Sequence, residues 1–187
     1  MHFSIAMDDE SFGRIKDEYD EFYSSLLRKG RLPMWSTQKG FWNAAISSEV
    51  YETFKKIELN AFKNFIDLGS GDGKVVLIAS LFCDTAEGVE ADDFLHNKSI
   101  EVRDKLGIKN AVFHNKDIYD HAIGNYDLIF LNPDAPLERG IEKKLLSEMK
   151  GKLLLYGHHF PPRFLKKEQS FAIGGTLISV YSKIIMP

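Results

Sequence analysis

The chain of 187 residues contains one cysteine, Cys83, and no long apolar run. A single cysteine forms no internal disulfide and no cage of thiolate metal ligands, which excludes a disulfide-stabilised secreted scaffold. No stretch approaches the ~20 apolar residues that span a bilayer. The first ten residues turn acidic at Asp8, unlike a signal peptide. We therefore expect a soluble, cytoplasmic protein with no membrane partner.

The chain also lacks an excess of positive charge, since 24 Lys and Arg stand against 27 Asp and Glu for a formal net charge of −3. Proteins that hold nucleic acid mainly through phosphate contacts are usually basic, so stable binding to nucleic acid is disfavoured. Residues 143–144, 150–152 and 163–167 form local basic clusters. They fit either a basic patch or, as we favour, solvated lysines near helix ends.

Two amphipathic helices are predicted at the amino-terminal end. In residues 8–29 apolar side chains recur at steps of three and four, which places them on one helical face. A second helix is predicted over residues 47–57, and an aromatic segment, residues 32–42, lies between the two. We treat residues 1–60 as an N-terminal helical extension of one domain, whose core is residues 61–187.

From about residue 61 the pattern changes to strands that alternate with helices. The strands are predicted at 64–68, 85–90, 111–114, 126–131 and 152–156, and the helices at 75–82, 92–106 and 137–149. This alternation predicts an α/β fold in which a mostly parallel sheet is covered by helices. At the end of the chain, residues 164–173 and 176–184 flank the turn Gly174-Gly175, which predicts an antiparallel hairpin closing the sheet.

The first predicted strand runs into a glycine-rich loop, Asp67-Leu68-Gly69-Ser70-Gly71-Asp72-Gly73. Glycines let a backbone turn sharply and approach a ligand closely, and the amides of the following helix favour an anionic group. The spacing excludes a phosphate-binding P-loop, which needs glycine at Leu68 and Ser or Thr at Val75. It also departs from the dinucleotide-binding pattern, which needs glycine at Lys74.

An acid followed by glycines at alternate positions resembles motif I of the class I S-adenosylmethionine-dependent methyltransferases. The resemblance covers roughly residues 60–184. It implies a Rossmann-like methyltransferase fold with a seven-stranded, mostly parallel sheet and a C-terminal antiparallel hairpin. It also implies S-adenosyl-L-methionine as the cofactor. The loop residues expected to bind this cofactor are Asp67, Gly69, Ser70, Gly71 and Gly73.

Two later strand ends extend the resemblance. Glu90 ends the second strand, where the family places an acid that accepts hydrogen bonds from both ribose hydroxyls. Asp117, followed by Ile118, lies just past the third strand and matches the acid that meets the adenine amine. Asp120 is close enough in sequence to be an alternative, although Asp117 is favoured. Glu90, Asp117 and Ile118 therefore complete the predicted cofactor site.

The loop Asn132-Pro133-Asp134-Ala135 follows the fourth predicted strand, where this family has its catalytic or substrate-facing loop. We predict that Asn132 and Pro133 are the catalytic residues. Enzymes that methylate exocyclic base nitrogens typically carry proline and an aromatic residue where this chain has Asp134 and Ala135. Without the aromatic platform, base stacking loses about 1–3 kcal/mol. Methylation of a nucleic-acid base is weakened by this difference.

A second resemblance favours a protein acceptor. The glycine loop, the helix at 145–149, Leu153-Leu154-Leu155 and His159-Phe160-Pro161 are similar to the small archaeal and mitochondrial protein-lysine methyltransferases. These are relatives of the nucleosomal lysine methyltransferases that lack a SET domain. The resemblance implies protein-lysine methylation by direct in-line transfer, with the chain before motif I contributing to the site.

The substrate-binding residues predicted from this resemblance are Trp35, Thr37 and Phe160. An aromatic channel of Trp35, Phe41, Trp42 and Phe160 would favour the neutral amine by desolvating it. Ordinary packing of the same side chains on the sheet is an equal alternative. RNA or DNA and small-molecule methylation stay open as alternative functions. No metal is expected, since His158 and His159 are neighbours that point in opposite directions if extended.

Overall fold

The computed structural model describes the backbone of residues 2–184 and the side chains of residues 9–138 and 140–184. The regular elements are α1 (His2–Arg28), β1 (Met34–Ser36), β2 (Phe41–Asn43), α2 (Ser47–Lys56), β3 (Asn64–Leu68), α3 (Lys74–Ala79), β4 (Thr85–Glu90), α4 (Asp93–Leu106), β5 (Ala111–Asn115), β6 (Leu128–Leu131), α5 (Ile141–Glu148), β7 (Lys152–Tyr156), β8 (Lys166–Ile173) and β9 (Thr176–Ser182). Short 3-10 helices cover Leu59–Ala61, Ile118–Asp120 and Leu137–Arg139.

A seven-stranded sheet in the order β5-β4-β3-β6-β7-β9-β8 forms the centre of the fold. Strands β3 to β7 pair in parallel, whereas β9 is antiparallel to both β7 and β8. The predicted Rossmann-like sheet with its C-terminal hairpin is therefore confirmed. Because the chain leaves β3 for β4 on one side and later returns to β6 on the other, the strand order reverses at β3. Ligands of open α/β sheets bind at such a reversal.

Helices cover both faces of this sheet and leave two apolar clusters in contact with it. On one face, Tyr19 of α1 and Phe54 of α2 are fully buried in the cluster that contains Phe65 and Phe130 of the strands. On the other face, Leu145 of α5 is fully buried in a second cluster. The amino-terminal helices therefore share a core with the sheet. Among the described residues, no helix is both long and apolar enough to cross a membrane.

The structure differs from the sequence interpretation at two places. In the aromatic segment at 32–42, for which no strand was predicted, β1 and β2 form an antiparallel hairpin in which Trp35 is opposite Trp42. The helix predicted over 137–149 is divided at Gly140, whose φ of 151° is incompatible with a helix. A 3-10 turn precedes this glycine, and α5 follows it.

Candidate active site

A cavity of about 460 Å³ opens where β3, β4 and β6 end, at the reversal of the sheet. Seven of the residues predicted for the site line it: Thr37, Gly69, Glu90, Asp117, Ile118, Asn132 and Pro133. A smaller cavity of about 30 Å³ shares Trp42, Gly69 and Asn132 with the first, and its lining includes Asp67, Ser70 and Gly71. The predicted residues that line the two cavities therefore come from five separate segments of the chain.

The glycine loop turns through backbone conformations that L side chains rarely adopt. Gly69, Gly71 and Gly73 have φ values of 77°, 54° and 82°. A Cβ atom at Gly71 would stand 2.5 Å from Nε1 of Trp42, and one at Gly73 would stand 2.8 Å from the ring of Phe113. A Cβ atom at Gly69 would meet nothing within 4 Å. Gly71 and Gly73 therefore allow close packing, while Gly69 leaves open space beside the backbone.

Glu90 fixes the end of β4 to this loop. Its Oε2 accepts a hydrogen bond from the amide of Gly71 at 2.8 Å, and its Oε1 accepts one from the amide of Asp92 at 2.8 Å. Burial raises the pKa of the Glu90 carboxyl, and the two amides only partly oppose this shift. Each carboxylate oxygen keeps a lone pair that can accept a further hydrogen bond. The side chain is therefore held in one orientation at the wall of the larger cavity.

Asp67 is a buried carboxyl with unusual surroundings. It is 3% exposed, and no hydrogen-bond donor among the described side chains and backbone groups reaches it. Burial first, and then the nearby Glu90 and Asp72, raise the pKa of Asp67 well above its usual range. The Oγ atom of Ser70 is also buried without a partner in the described part of the chain. An unsatisfied buried polar group is costly, so Ser70 Oγ, which lines the smaller cavity together with Asp67, indicates a place for a ligand.

Asp72 connects the glycine loop to α1. Its Oδ2 accepts a hydrogen bond from Tyr23 at 2.5 Å, and its backbone carbonyl accepts one from Tyr19 at 2.7 Å. Lys74 lies beside it, with Nζ 4.6 Å from the centre of the Tyr23 ring. Burial raises the pKa of Asp72 and lowers that of Lys74. This contact was not predicted from the sequence, because Tyr19 was interpreted only as a member of an apolar stripe and Tyr23 was given no role.

Asp117 also lines the larger cavity, at the start of a 3-10 turn. Its carboxylate accepts a hydrogen bond from the amide of Tyr119 at 3.0 Å and pairs with Nζ of Lys39 at 3.1 Å. The hydrogen bond to Tyr119 is the main cause of the lowered pKa of Asp117. Of the two acids considered from sequence, only Asp117 is among the lining residues of this cavity.

The hairpin of β1 and β2 closes one side of the cavity. Within its turn, Thr37 Oγ1 accepts a hydrogen bond from the amide of Gly40 at 3.1 Å. Asp134, which follows β6, accepts a hydrogen bond from the amide of Phe41 at 2.6 Å and so joins the two segments. Asn132 is exposed, and its Nδ2 lies 3.5 Å from the carbonyl of Asn43. Lys39 was not among the residues predicted from the sequence, and Asp134 had no predicted role in the site.

Four aromatic residues were considered as channel walls, and they divide into two groups. Phe41 and Trp42 line the larger cavity. Trp35 and Phe160 line neither cavity. Trp35 packs on Trp42 with ring centres 4.3 Å apart, and Phe160 lies beside His159 at 6.4 Å. Ordinary packing therefore accounts for Trp35, whereas Trp42 is in contact with the glycine loop.

Solved structures of methyltransferases share this fold. One is an RNA methyltransferase from Salinibacter ruber in complex with S-adenosyl-L-homocysteine, with a TM-score of 0.67 and 16% identity over 78% of this chain and 97% of that one. Another is magnesium protoporphyrin IX methyltransferase (ChlM) from Synechocystis PCC 6803 with bound SAM, with a TM-score of 0.58 and 12% identity over 76% of this chain and 87% of that one.

A family model also matches residues 44–153, which is more than half of the chain. Together, the fold and this match define a class I S-adenosylmethionine-dependent methyltransferase, an enzyme whose cofactor is S-adenosyl-L-methionine. The matching family is described as "Histone methylation protein DOT1". The protein therefore belongs to this family. The matched segment begins before α2 and ends in β7, so it includes the glycine loop, Glu90 and Asn132. A comparison with curated protein sequences gives no match.

Proposed function

We propose that the protein methylates a lysine side chain of another protein. The observation that carries the proposal is that the chain belongs to a family whose description is histone methylation. The resemblance of the sequence to small protein-lysine methyltransferases supports the same acceptor. When bound, S-adenosylmethionine supplies a methyl group already activated on a sulfonium centre, so the chain need provide no covalent nucleophile. Its residues must hold the cofactor and align the acceptor amine.

The polar groups around the cavity fit the cofactor chemically. Glu90 would accept hydrogen bonds from the ribose hydroxyls, because both of its oxygens keep lone pairs while backbone amides fix the side chain. Asp117 would accept from the adenine amine, with Ile118 packing on the base. Asp67 is a buried carboxyl with acidic neighbours and no donor from the described residues, which suits the ammonium group of the methionine moiety.

The charges that line the larger cavity favour a cationic acceptor. Glu90, Asp117 and Asp134 carry negative charge there, and Lys39 is the one basic residue among the lining positions. With Glu90 and Asp117 assigned to the cofactor, Asp134 would attract a lysine ammonium at the entrance. Phosphate groups of a nucleic acid would be repelled by the same carboxylates. This charge distribution supports a protein acceptor over RNA or DNA.

A lysine must lose its proton before its nitrogen can attack the methyl group. Phe41 and Trp42 line the cavity next to Asn132 and Pro133, so a lysine entering there would be partly removed from water. Desolvation lowers the pKa of an amine because it disfavours the charged form. The side-chain oxygen of Asn132 would then accept a hydrogen bond from the amine and hold its lone pair in line with the methyl group. Pro133 would keep the backbone of this loop rigid.

Transfer of labelled methyl groups into a fractionated cell extract tests the proposal. Wild type, Glu90→Ala and the control Glu52→Ala, at an exposed acid of α2, are assayed in parallel. We expect label that depends on Glu90 but not on Glu52. It should be released by protease and disappear when extract lysines are acetylated beforehand. Mass spectrometry then locates the modified residue. Label released by nuclease, or found in the small-molecule fraction, would overturn the lysine assignment.

A further inference from the structure

A second group of ligand-type side chains lies away from the cavity, where β4 and β5 form the edge of the parallel sheet. The connection from β5 to β6, residues 116–127, contains a 3-10 turn but no α-helix to cover the sheet. Glu87 of β4, His114 of β5 and His121 of this connection meet there. One potential ligand atom of each lies within 4.8 Å of the other two.

The hydrogen bonds of this group define the protonation of His121. The hydroxyl of Tyr126 donates its single proton to Oε2 of Glu87 at 2.9 Å. His121 Nε2 lies 2.8 Å from the same hydroxyl, so this nitrogen must be the donor. In a neutral imidazole the other nitrogen, Nδ1, then carries a free lone pair. His121 is 8% exposed, and Nδ1 is buried without a partner among the described residues.

A buried histidine with one unpartnered nitrogen, close to a carboxylate and a second imidazole, is suited to a metal ion. Nε2 of His114 lies 2.6 Å from Oε2 of Glu87. Ligand atoms of a tetrahedral Zn²⁺ at about 2.0–2.1 Å stand roughly 3.3 Å apart, so this pair would separate by less than about 1 Å. The imidazole ring of His121 can present either nitrogen, because its χ2 angle is broad and roughly two-fold.

Solvent access and charge are compatible with the same ion. The side chains of His114 and Glu87 are 27% and 22% exposed, so water can complete the coordination. The buried Lys144 also acts on His121, but its ion pair with Glu148 at 2.8 Å balances its charge. The exposed Lys116 also lies near His121 and opposes a cation, whereas Glu87 favours it.

We propose that Glu87, His114 and His121 form a Zn²⁺ site with one position for water. Two histidines, a carboxylate and a water are an established zinc ligand set. The ion would join β4, β5 and the segment that begins at Asp117, and so would fix one wall of the cofactor cavity. This inference does not depend on the identity of the methyl acceptor.

Titration of tag-free protein with Zn²⁺ alone, after treatment with chelator and desalting, tests the site by calorimetry. We expect one equivalent bound per chain. We also expect a melting temperature raised by about 5 °C or more at a hundred-fold excess over Kd. Co²⁺ in place of Zn²⁺ should give visible absorption of a low-coordinate site. His114→Gln and His121→Gln should each abolish both signals, while the control His159→Gln should retain them.

Two outcomes would overturn the proposal. Wild type that binds no Zn²⁺ excludes a site at these residues whatever the variants do. Binding that survives in His114→Gln but is lost in His159→Gln would assign the ion to the adjacent pair His158 and His159. Because His121 is buried and its variant can misfold, the more exposed His114 provides the decisive comparison, with circular dichroism as the check on folding.

Discussion

At the scale of single residues, Glu90 has two tasks that substitution can separate. It holds the amides of Gly71 and Asp92, and we assign it the ribose hydroxyls. Glu90→Ala should weaken binding of S-adenosylmethionine by about 1.5–3 kcal/mol, the usual value of hydrogen bonds to a charged group. Isothermal titration calorimetry measures this change. Glu90→Gln keeps the size and an acceptor oxygen, so its loss should be smaller. Equal affinity of Glu90→Ala and wild type would contradict the assignment.

Asn132 belongs to the transfer step in our proposal. Asn132→Ala should leave the affinity for S-adenosylmethionine within about two-fold, since no cofactor contact is assigned to this side chain. The rate of methyl transfer should fall by about 10-fold or more, because one positioning hydrogen bond contributes about 1–3 kcal/mol when its loss leaves a partner unsatisfied. Calorimetry and single-turnover transfer give the two values. Asn60→Ala, at an exposed position, is the control. Normal turnover would remove Asn132 from the mechanism.

At the scale of elements, α1 holds the glycine loop through Tyr23, whose hydroxyl donates to the buried Asp72. Tyr23→Phe removes this donor and leaves a buried carboxylate oxygen less satisfied. We expect a loss of about 1.5–3 kcal/mol in unfolding free energy, which corresponds to a fall of roughly 3–10 °C in melting temperature. Thermal denaturation followed by circular dichroism measures it.

Tyr181→Phe is the control for this contact. Tyr181 is also buried, but its hydroxyl makes no hydrogen bond to any described residue. The melting temperature of Tyr181→Phe should stay within about 2 °C of wild type, because this substitution keeps the aromatic ring and removes no hydrogen bond to a described residue. If Tyr23→Phe and Tyr181→Phe have the same melting temperature, the hydroxyl of Tyr23 does not stabilise the loop. A weaker affinity for S-adenosylmethionine in Tyr23→Phe alone would show that α1 acts on the site through the loop.

The sequence predicted elements well where local pattern and tertiary environment agree. Strands β3, β4 and β7 have the predicted bounds, because each is a short segment that lies between turns or loops in an alternating strand and helix pattern. The hairpin of β1 and β2 was missed because each strand has three residues and depends on distant contacts. The amide of Phe41 bonds to Asp134, which is 93 positions away, and Tyr23 bonds to Asp72 across 49 positions. No local signal carries such pairs, so Lys39 and the tyrosines were also missed.

At the scale of the whole molecule, the site concentrates buried negative charge that the fold itself does not neutralise. Burial raises the pKa values of both Asp67 and Glu90, so the folded state binds their protons more tightly than the unfolded chain does. Their contribution to stability is fully present below about pH 4, the unfolded pKa. It is lost as the pH rises through the raised folded values. Near neutral pH, the protein without ligand therefore carries a destabilising acid.

Asp67→Asn tests this conflict between stability and binding. Asparagine has the same shape but no charge, so the variant should melt at a higher temperature than wild type near pH 7. The difference should shrink towards zero as the pH falls below about 4, where Asp67 is protonated in both states. Groups with lowered pKa values, such as Asp117 and Glu148, have the opposite pH dependence. Because these groups are present in both wild type and Asp67→Asn, their contributions cancel in the difference between the two melting temperatures. Asp84→Asn, at an exposed acid, is the control.

Asp67→Asn should also bind S-adenosylmethionine more weakly. The Asp67 carboxylate is the proposed partner of the cofactor's ammonium group, and the asparagine that replaces it carries no charge. A stability gain at pH 7 combined with a binding loss means that the carboxylate is retained for the ligand, a trade often found at functional sites. A variant that is less stable at pH 7 would mean that Asp67 is ionised and satisfied in the folded protein. Unchanged affinity would instead separate Asp67 from the cofactor and leave its burial unexplained by ligand binding.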